Sequence, residues 1–198
     1  NSTLIPRPET EMMVELALNI IKKPSHILEI GVGSGAALLS VMLHSSHELN
    51  CLGTDISASA LQLCQKNYDA KKFRLEQHRF TLQLTDRTQG LLKNQYNLIL
   101  CNPPYIPEHH LGVTKQVQQF EPASALYLPK DNYMSWMMEL CQGIIDCLHV
   151  GGIAIIEGHE DYLKDIQLNL NNISPKICES VKIIQDLNQL DRFLQLVK

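Results

Sequence analysis

The apolar run His26-Ile27-Leu28-Glu29-Ile30 passes directly into Gly31-Val32-Gly33-Ser34-Gly35, and then into AALLSVMLH from Ala36 to His44. A short apolar run bounded by glycines reads as a buried strand, and the segment beyond the glycines as a helix. Glycines in the link allow the tight backbone that a strand-to-helix turn needs. The same alternation recurs downstream. Leu49 to Thr54 reads as a second strand ending at Asp55, and Ser57 to Tyr68 as a helix with Ser57 as its N-cap. Arg79 to Leu84 alternates like a strand and ends near Asp86, and Tyr96 to Cys101 is a fourth strand. Asn132 to Leu148 reads as a helix that Gly151-Gly152 breaks before a buried strand, Ile153 to Glu157. Asp161 to Asn171 is helical, and Val181 to Ile184 and Arg192 to Val197 are two last strands. Ahead of all this, Pro8 to Lys22 is expected to be a helix with proline and acids at its start and lysines at its end.

Strands alternating with helices specify an α/β fold with a doubly wound, mostly parallel sheet. The last two strands have only QDLNQLD between them. A parallel crossover needs about a dozen residues, so this pair is expected to form an antiparallel hairpin. At 198 residues the chain has the length of a single domain.

The glycine turn suits a nucleotide. Gly31, Gly33 and Ala36 satisfy the G-x-G-x-x-G/A dinucleotide pattern, and the stretch LEIGVGSGAAL suits S-adenosylmethionine equally well. A tight turn that binds nothing is the bland third reading. Charge separates them. A dinucleotide brings an anionic pyrophosphate to the helix N-terminus, whereas S-adenosylmethionine brings a sulfonium, an ammonium and one carboxylate. Glu29 precedes the turn, Asp55 closes the second strand and Asp86 follows the third. Acids at the carboxyl ends of successive strands, where such sheets bind ligands, suit the cation and repel the pyrophosphate. Asp55 is placed to take the two ribose hydroxyls, and Asp86 to accept from an adenine amino group.

Asn102-Pro103-Pro104-Tyr105 ends the fourth strand. Two prolines remove two backbone donors and stiffen the chain, leaving carbonyl oxygens, one side-chain amide and an aromatic ring. A planar amino group has a delocalised lone pair. The Asn102 side-chain oxygen and the Pro103 carbonyl can accept its two N–H hydrogens, orient the nitrogen and favour the positive charge that grows on it during alkylation. This is positioning plus electrostatic stabilisation, with no strong base. Tyr105 offers a face for the planar group.

The formal net charge of −4 argues against nucleic acid as the partner. No apolar run approaches the roughly 20 residues of a membrane span, and the N-terminus lacks a signal-peptide layout. Six cysteines without close pairing read as reduced core thiols of a cytoplasmic protein. No metal is expected: His109-His110 lack helical ligand spacing and read as loop residues, and His159 reads as a surface polar residue. Met12, Met13, Met134, Met137 and Met138 read as core or lid packing. Without an initiator Met, the chain is expected to be a fragment or a trimmed form.

The segments LIPRPETE (Leu4 to Glu11), LEIGVGSG (Leu28 to Gly35), GTDIS (Gly53 to Ser57), CNPPYIP (Cys101 to Pro107), FEPASAL (Phe120 to Leu126) and GGIAIIEG (Gly151 to Gly158) occur in this order. Together they resemble the HemK/PrmC family, the peptide chain release factor glutamine N5-methyltransferases. The Asn-Pro-Pro-Tyr element alone is shared with adenine N6-methylases. The resemblance implies a class I S-adenosylmethionine-dependent methyltransferase, Rossmann-like in fold, that alkylates the glutamine amide of the Gly-Gly-Gln loop of release factors. It implies catalytic Asn102, Pro103 and Tyr105, and a cofactor held by Glu29, Gly31, Gly33, Gly35, Asp55, Ile56, Asp86 and Asn102. The substrate would meet Asn102, Pro103, Pro104, Tyr105 and Glu121. It further implies a preceding helical domain that grips the release factor, so residues 1–198 are expected to be the catalytic domain alone. Four departures stand out: the missing preceding domain, Arg87 where an aromatic is frequent, Gln119 where Arg is common, and Tyr162 in place of a Gln. Two other functions remain open at this point. One is an amino methyltransferase acting on nucleic acid, at adenine N6 or guanine N2; the other is a methyltransferase-like binding module without catalysis.

Overall fold

The computed structural model describes residues 3–107, 127–128, 132–173 and 178–198. Its elements, in chain order, are α1 (Pro8–Ile20), β1 (Ser25–Ile30), α2 (Ala36–His44), β2 (Leu49–Asp55), α3 (Ala58–Asp69), α4 (Lys72–Leu75), β3 (Arg79–Leu84) and β4 (Tyr96–Cys101). The short β5 (Ile106–Pro107) and β6 (Tyr127–Leu128) follow, then α5 (Tyr133–Cys147), β7 (Leu148–Glu157), α6 (Glu160–Ile173), β8 (Ser180–Gln185) and β9 (Asp191–Val197).

Seven strands form one sheet in the order β3-β2-β1-β4-β7-β9-β8. The first five run parallel, and β9 lies antiparallel to both β7 and β8. The expected hairpin exists, but it is inserted so that the last strand of the chain lies inside the sheet. Alternation along each strand loads both faces. Leu28, Ile30, Ile99, Cys101, Ala154, Ile156, Leu194 and Leu196 pack against α5 and α6, while Ile27, Leu98, Leu100, Ile155 and Phe193 pack with α1 and α2. Met13 and Met137 are core residues, and Met12, Met134 and Met138 lie against the core. Five cysteines are buried and Cys178 is half-buried.

Two boundaries differ from expectation. Helix α1 stops at Ile20, so the lysines beyond it are not in its last turn. Ile21 turns extended and buried instead, and Pro24 biases Lys23 away from helical geometry. Strand β7 begins at Leu148, immediately after α5, so Gly151-Gly152 lies within the strand rather than ahead of it. The register with β4 shifts there, between Tyr96 and Leu98. A Cβ on Gly152 would sit 2.9 Å from the Tyr96 carbonyl oxygen. The glycine pair marks a bulge with close backbone approach. Helix α4 was not expected; buried Leu75 anchors it.

Among the described residues no helix is long and apolar enough to cross a membrane. Nor does any group of three or more His, Cys, Asp or Glu side chains among them come together as a metal site.

Candidate active site

The strand order reverses between β1 and β4, and open α/β sheets bind ligands beyond the carboxyl ends of such strands. A cleft of about 860 Å³ opens there. Its floor is the turn after β1 and the loop after β4, which emerge side by side because Ile30 pairs with Cys101. Gly31 has φ 73°, and a Cβ on it would point at the Asn102 carbonyl oxygen 3.8 Å away. A Cβ would make only ordinary contact there, so it is the left-handed backbone that asks for glycine.

Glu29, Gly31, Gly33, Asp55, Ile56 and Asp86 all line this cleft, as do Asn102, Pro103, Pro104 and Tyr105. Gly35 does not. It sits behind the wall at φ 81°, where a Cβ would lie 2.6 Å from Cys64 Sγ, so its part is to let α2 start against α3. Glu121, Gln119, His109, His110 and the segment Phe120 to Leu126 lie outside the described residues.

Each acid is held differently. Asp55 accepts the Gly33 amide hydrogen on Oδ2 (3.0 Å) and that of Ser57 on Oδ1 (2.8 Å). Each carboxylate oxygen keeps a second lone pair, so the side chain is fixed yet can still accept from a vicinal diol. Glu29 is 5% exposed, and its Oε2 accepts from the Leu38 amide at 3.0 Å. Gly35 gives α2 no side-chain cap, so Glu29 meets an orphan N–H of the first turn. Burial pushes the Glu29 carboxyl up to about 8, the Leu38 bond works against that, and nearby Asp55 adds to it. Asp86 pairs with Arg87 Nε at 3.3 Å.

Arg87 also bonds Glu139 at 2.9 Å, and its guanidinium lies 5.4 Å from the centre of the Trp136 ring. An aromatic is thus present at this end of the cleft, delivered by α5 rather than by position 87. Trp136 carried no local signal that singled it out. Tyr162 packs its ring against Tyr133 at 4.5 Å.

The Asn102 Oδ1 is shielded from solvent and has no hydrogen-bond partner among the described residues. The Tyr105 hydroxyl donates to Glu157 Oε1 at 2.7 Å. Sequence reasoning gave Glu157 no role, although an acid ending an apolar strand was the signal that singled out Glu29. The segment Thr3 to Arg7 also lines the cleft. Part of the LIPRPETE motif is therefore a wall of the site, a role the motif alone did not disclose.

The family model described as methyltransferase small domain matches residues 10–132. A release factor glutamine methyltransferase of Nitratidesulfovibrio vulgaris is 33% identical over 196 residues, covering 98% of this chain and 64% of that protein. One of Neisseria gonorrhoeae is 32% identical over 193 residues, covering 96% of this chain and 67% of that protein. The chain thus spans about two thirds, or slightly less, of the length of these curated relatives. A methyltransferase structure from Pyrococcus furiosus superposes with a TM-score of 0.66 at 15% identity, covering 98% of this chain and 84% of that one, and so shares the fold.

Proposed function

This chain belongs to the methyltransferase small-domain family, among the release factor glutamine methyltransferases, and on that premise we propose the following activity. It transfers a methyl group from S-adenosylmethionine to the side-chain amide nitrogen of the Gly-Gly-Gln glutamine of a peptide chain release factor, in the cytoplasm. When bound, the cofactor supplies an electrophilic methyl group on a sulfonium. The residues present suit it: a glycine turn without bulk, acids at three strand ends, and a buried acceptor beside them.

Asp55 would hold the ribose hydroxyls with an already immobilised carboxylate. Asp86 would accept from the adenine amino group, Ile56 would cover an apolar face, and Gly31 and Gly33 would let the ligand approach the backbone. Glu29, buried and raised to about 8, would give up its proton more readily beside a cationic ligand.

The observation that carries the reading is the Asn102 Oδ1, a buried acceptor without a donor among the described residues. Such a group costs about 1–3 kcal/mol and calls for a donor that arrives from outside. An amide N–H is that donor. Asn102 and the Pro103 carbonyl would take the two N–H hydrogens, fix the nitrogen and stabilise the positive charge developing on it. Tyr105 would hold the amide plane, and Pro104 adds no competing donor.

The test is to incubate the protein with methyl-labelled S-adenosylmethionine and a mixture of release factor, DNA and RNA, then separate the three. Label on the release factor glutamine is expected. Label on DNA or RNA would overturn the substrate, and absence of label together with absence of cofactor binding would overturn the reading.

A further inference from the structure

Glu157 ends β7 at 1% exposure. A carboxyl group this deep needs a contact that justifies its desolvation. Its Oε1 accepts the Tyr105 hydroxyl at 2.7 Å, and its Oε2 has no hydrogen-bond partner among the described residues. Among the described residues the one hydrogen bond to this acid's side chain therefore runs from the loop after β4 to the end of β7. That loop has few means of anchoring itself, since Pro103 and Pro104 offer no N–H.

We propose that Glu157 is a positioning residue for amide methylation, setting through Tyr105 where the loop from Asn102 to Tyr105 presents its acceptors and ring face. The inference rests on the activity proposed above. An ionised carboxylate binds a phenol hydrogen about twice as strongly as a neutral acceptor does, so the loop is held best when Glu157 is charged. Burial pushes the acid up to about 7; the Tyr105 bond, Arg192 of β9 and Arg7 pull it down, and Glu9 of α1 pushes it further up. Cys101 of β4 lies in the same field, and the Arg192 charge is shared with Asp186 and Glu160. The acid therefore changes charge in the neutral range.

The experiment measures kcat, KM for release factor and cofactor Kd for the native chain, E157Q, Y105F and the double variant, from about pH 6 to about pH 8.5. The Tyr105 Cζ resonance, assigned by its absence in Y105F, is followed over the same range. Native kcat should rise several-fold through neutrality. E157Q, which keeps an acceptor but cannot ionise, should lose that rise and stay about three- to tenfold below the native plateau, with KM and cofactor Kd unchanged. The double variant should be no slower than Y105F, which removes only the hydroxyl and leaves the buried acid in place. Native rate and pH dependence in E157Q, or additive losses in the double variant, would overturn the inference. The resonance needs no methyl transfer. If it follows Glu157 while no release factor is methylated, the activity reading fails and the contact stands. If it ignores pH in the native chain, the contact is refuted.

Discussion

The carboxylate of Asp55 accepts the amide hydrogen of Gly33 at 3.0 Å, tying the end of β2 to the turn after β1. Its other oxygen holds the Ser57 amide at 2.8 Å, at the start of α3. A residue proposed to receive the ligand thus also shapes the turn beside it, and removing it should have two consequences.

Asp55→Ala should weaken S-adenosylmethionine binding by about 1.5–3 kcal/mol, the worth of charge-assisted hydrogen bonds to hydroxyls. It should also lower unfolding free energy by about 1–2 kcal/mol, because two backbone donors lose their acceptor. Calorimetric titration and urea unfolding separate the two effects. An unchanged cofactor Kd would remove Asp55 from the binding site.

Asn102→Ala should reduce methyl transfer by two or more orders of magnitude, on the scale of an oxyanion-type contact, with cofactor affinity changed far less. Stability should hold or rise, by up to about 1 kcal/mol, because the variant deletes a buried acceptor that lacks a donor. A stability loss matching the activity loss would mark Asn102 as a framework residue.

Glu29 gives a pH dependence of definite sign. Its folded-state value of about 8 lies above the ordinary 4.5, so between these limits the folded chain binds more protons than the unfolded one. Stability should therefore fall as pH rises through that window and level off above it. Glu157, raised to about 7, acts in the same direction over a narrower span. Glu29→Gln keeps an oxygen for the Leu38 amide and cannot ionise. It should flatten the profile and exceed the native chain at about pH 9 by something on the order of 1–3 kcal/mol. Urea unfolding across the window checks this, and parallel profiles for the two chains would refute it.

Gly35→Ala should destabilise by about 2–4 kcal/mol, combining left-handed backbone strain with overpacking. The new methyl would lie 2.6 Å from Cys64 Sγ. Adding Cys64→Ala should recover part of the packing share and leave the backbone share and the contact with Leu39, which a Cβ would meet at 3.0 Å. Thermal unfolding of the single and double variants measures both.

Much of the site was legible because its signals are local. Strand ends follow from apolar runs stopped by glycine, by proline or by the N-cap of the next helix, so Glu29, Gly31, Asp55 and Asn102 could be placed at one edge of a sheet without knowing the order of its strands. The strand–helix rhythm likewise determined a parallel, doubly wound core with an antiparallel ending. The tertiary structure decided what depends on pairing between distant segments. No local pattern says that β9 lies between β7 and β8, because hydrogen-bonding edges are alike in every strand and only packing of the whole sheet chooses among them. Pairing of β7 with β4 put Glu157 against Tyr105, and its pairing with β9 put Arg192 in its field. The helix crossovers brought Trp136 beneath Arg87. Glu29 looks the same in sequence whether it faces ligand or protein. Folding turned its Oε2 onto the Leu38 amide of α2, because a buried carboxyl oxygen needs a donor and the first turn of the helix has an N–H that the helix cannot satisfy itself.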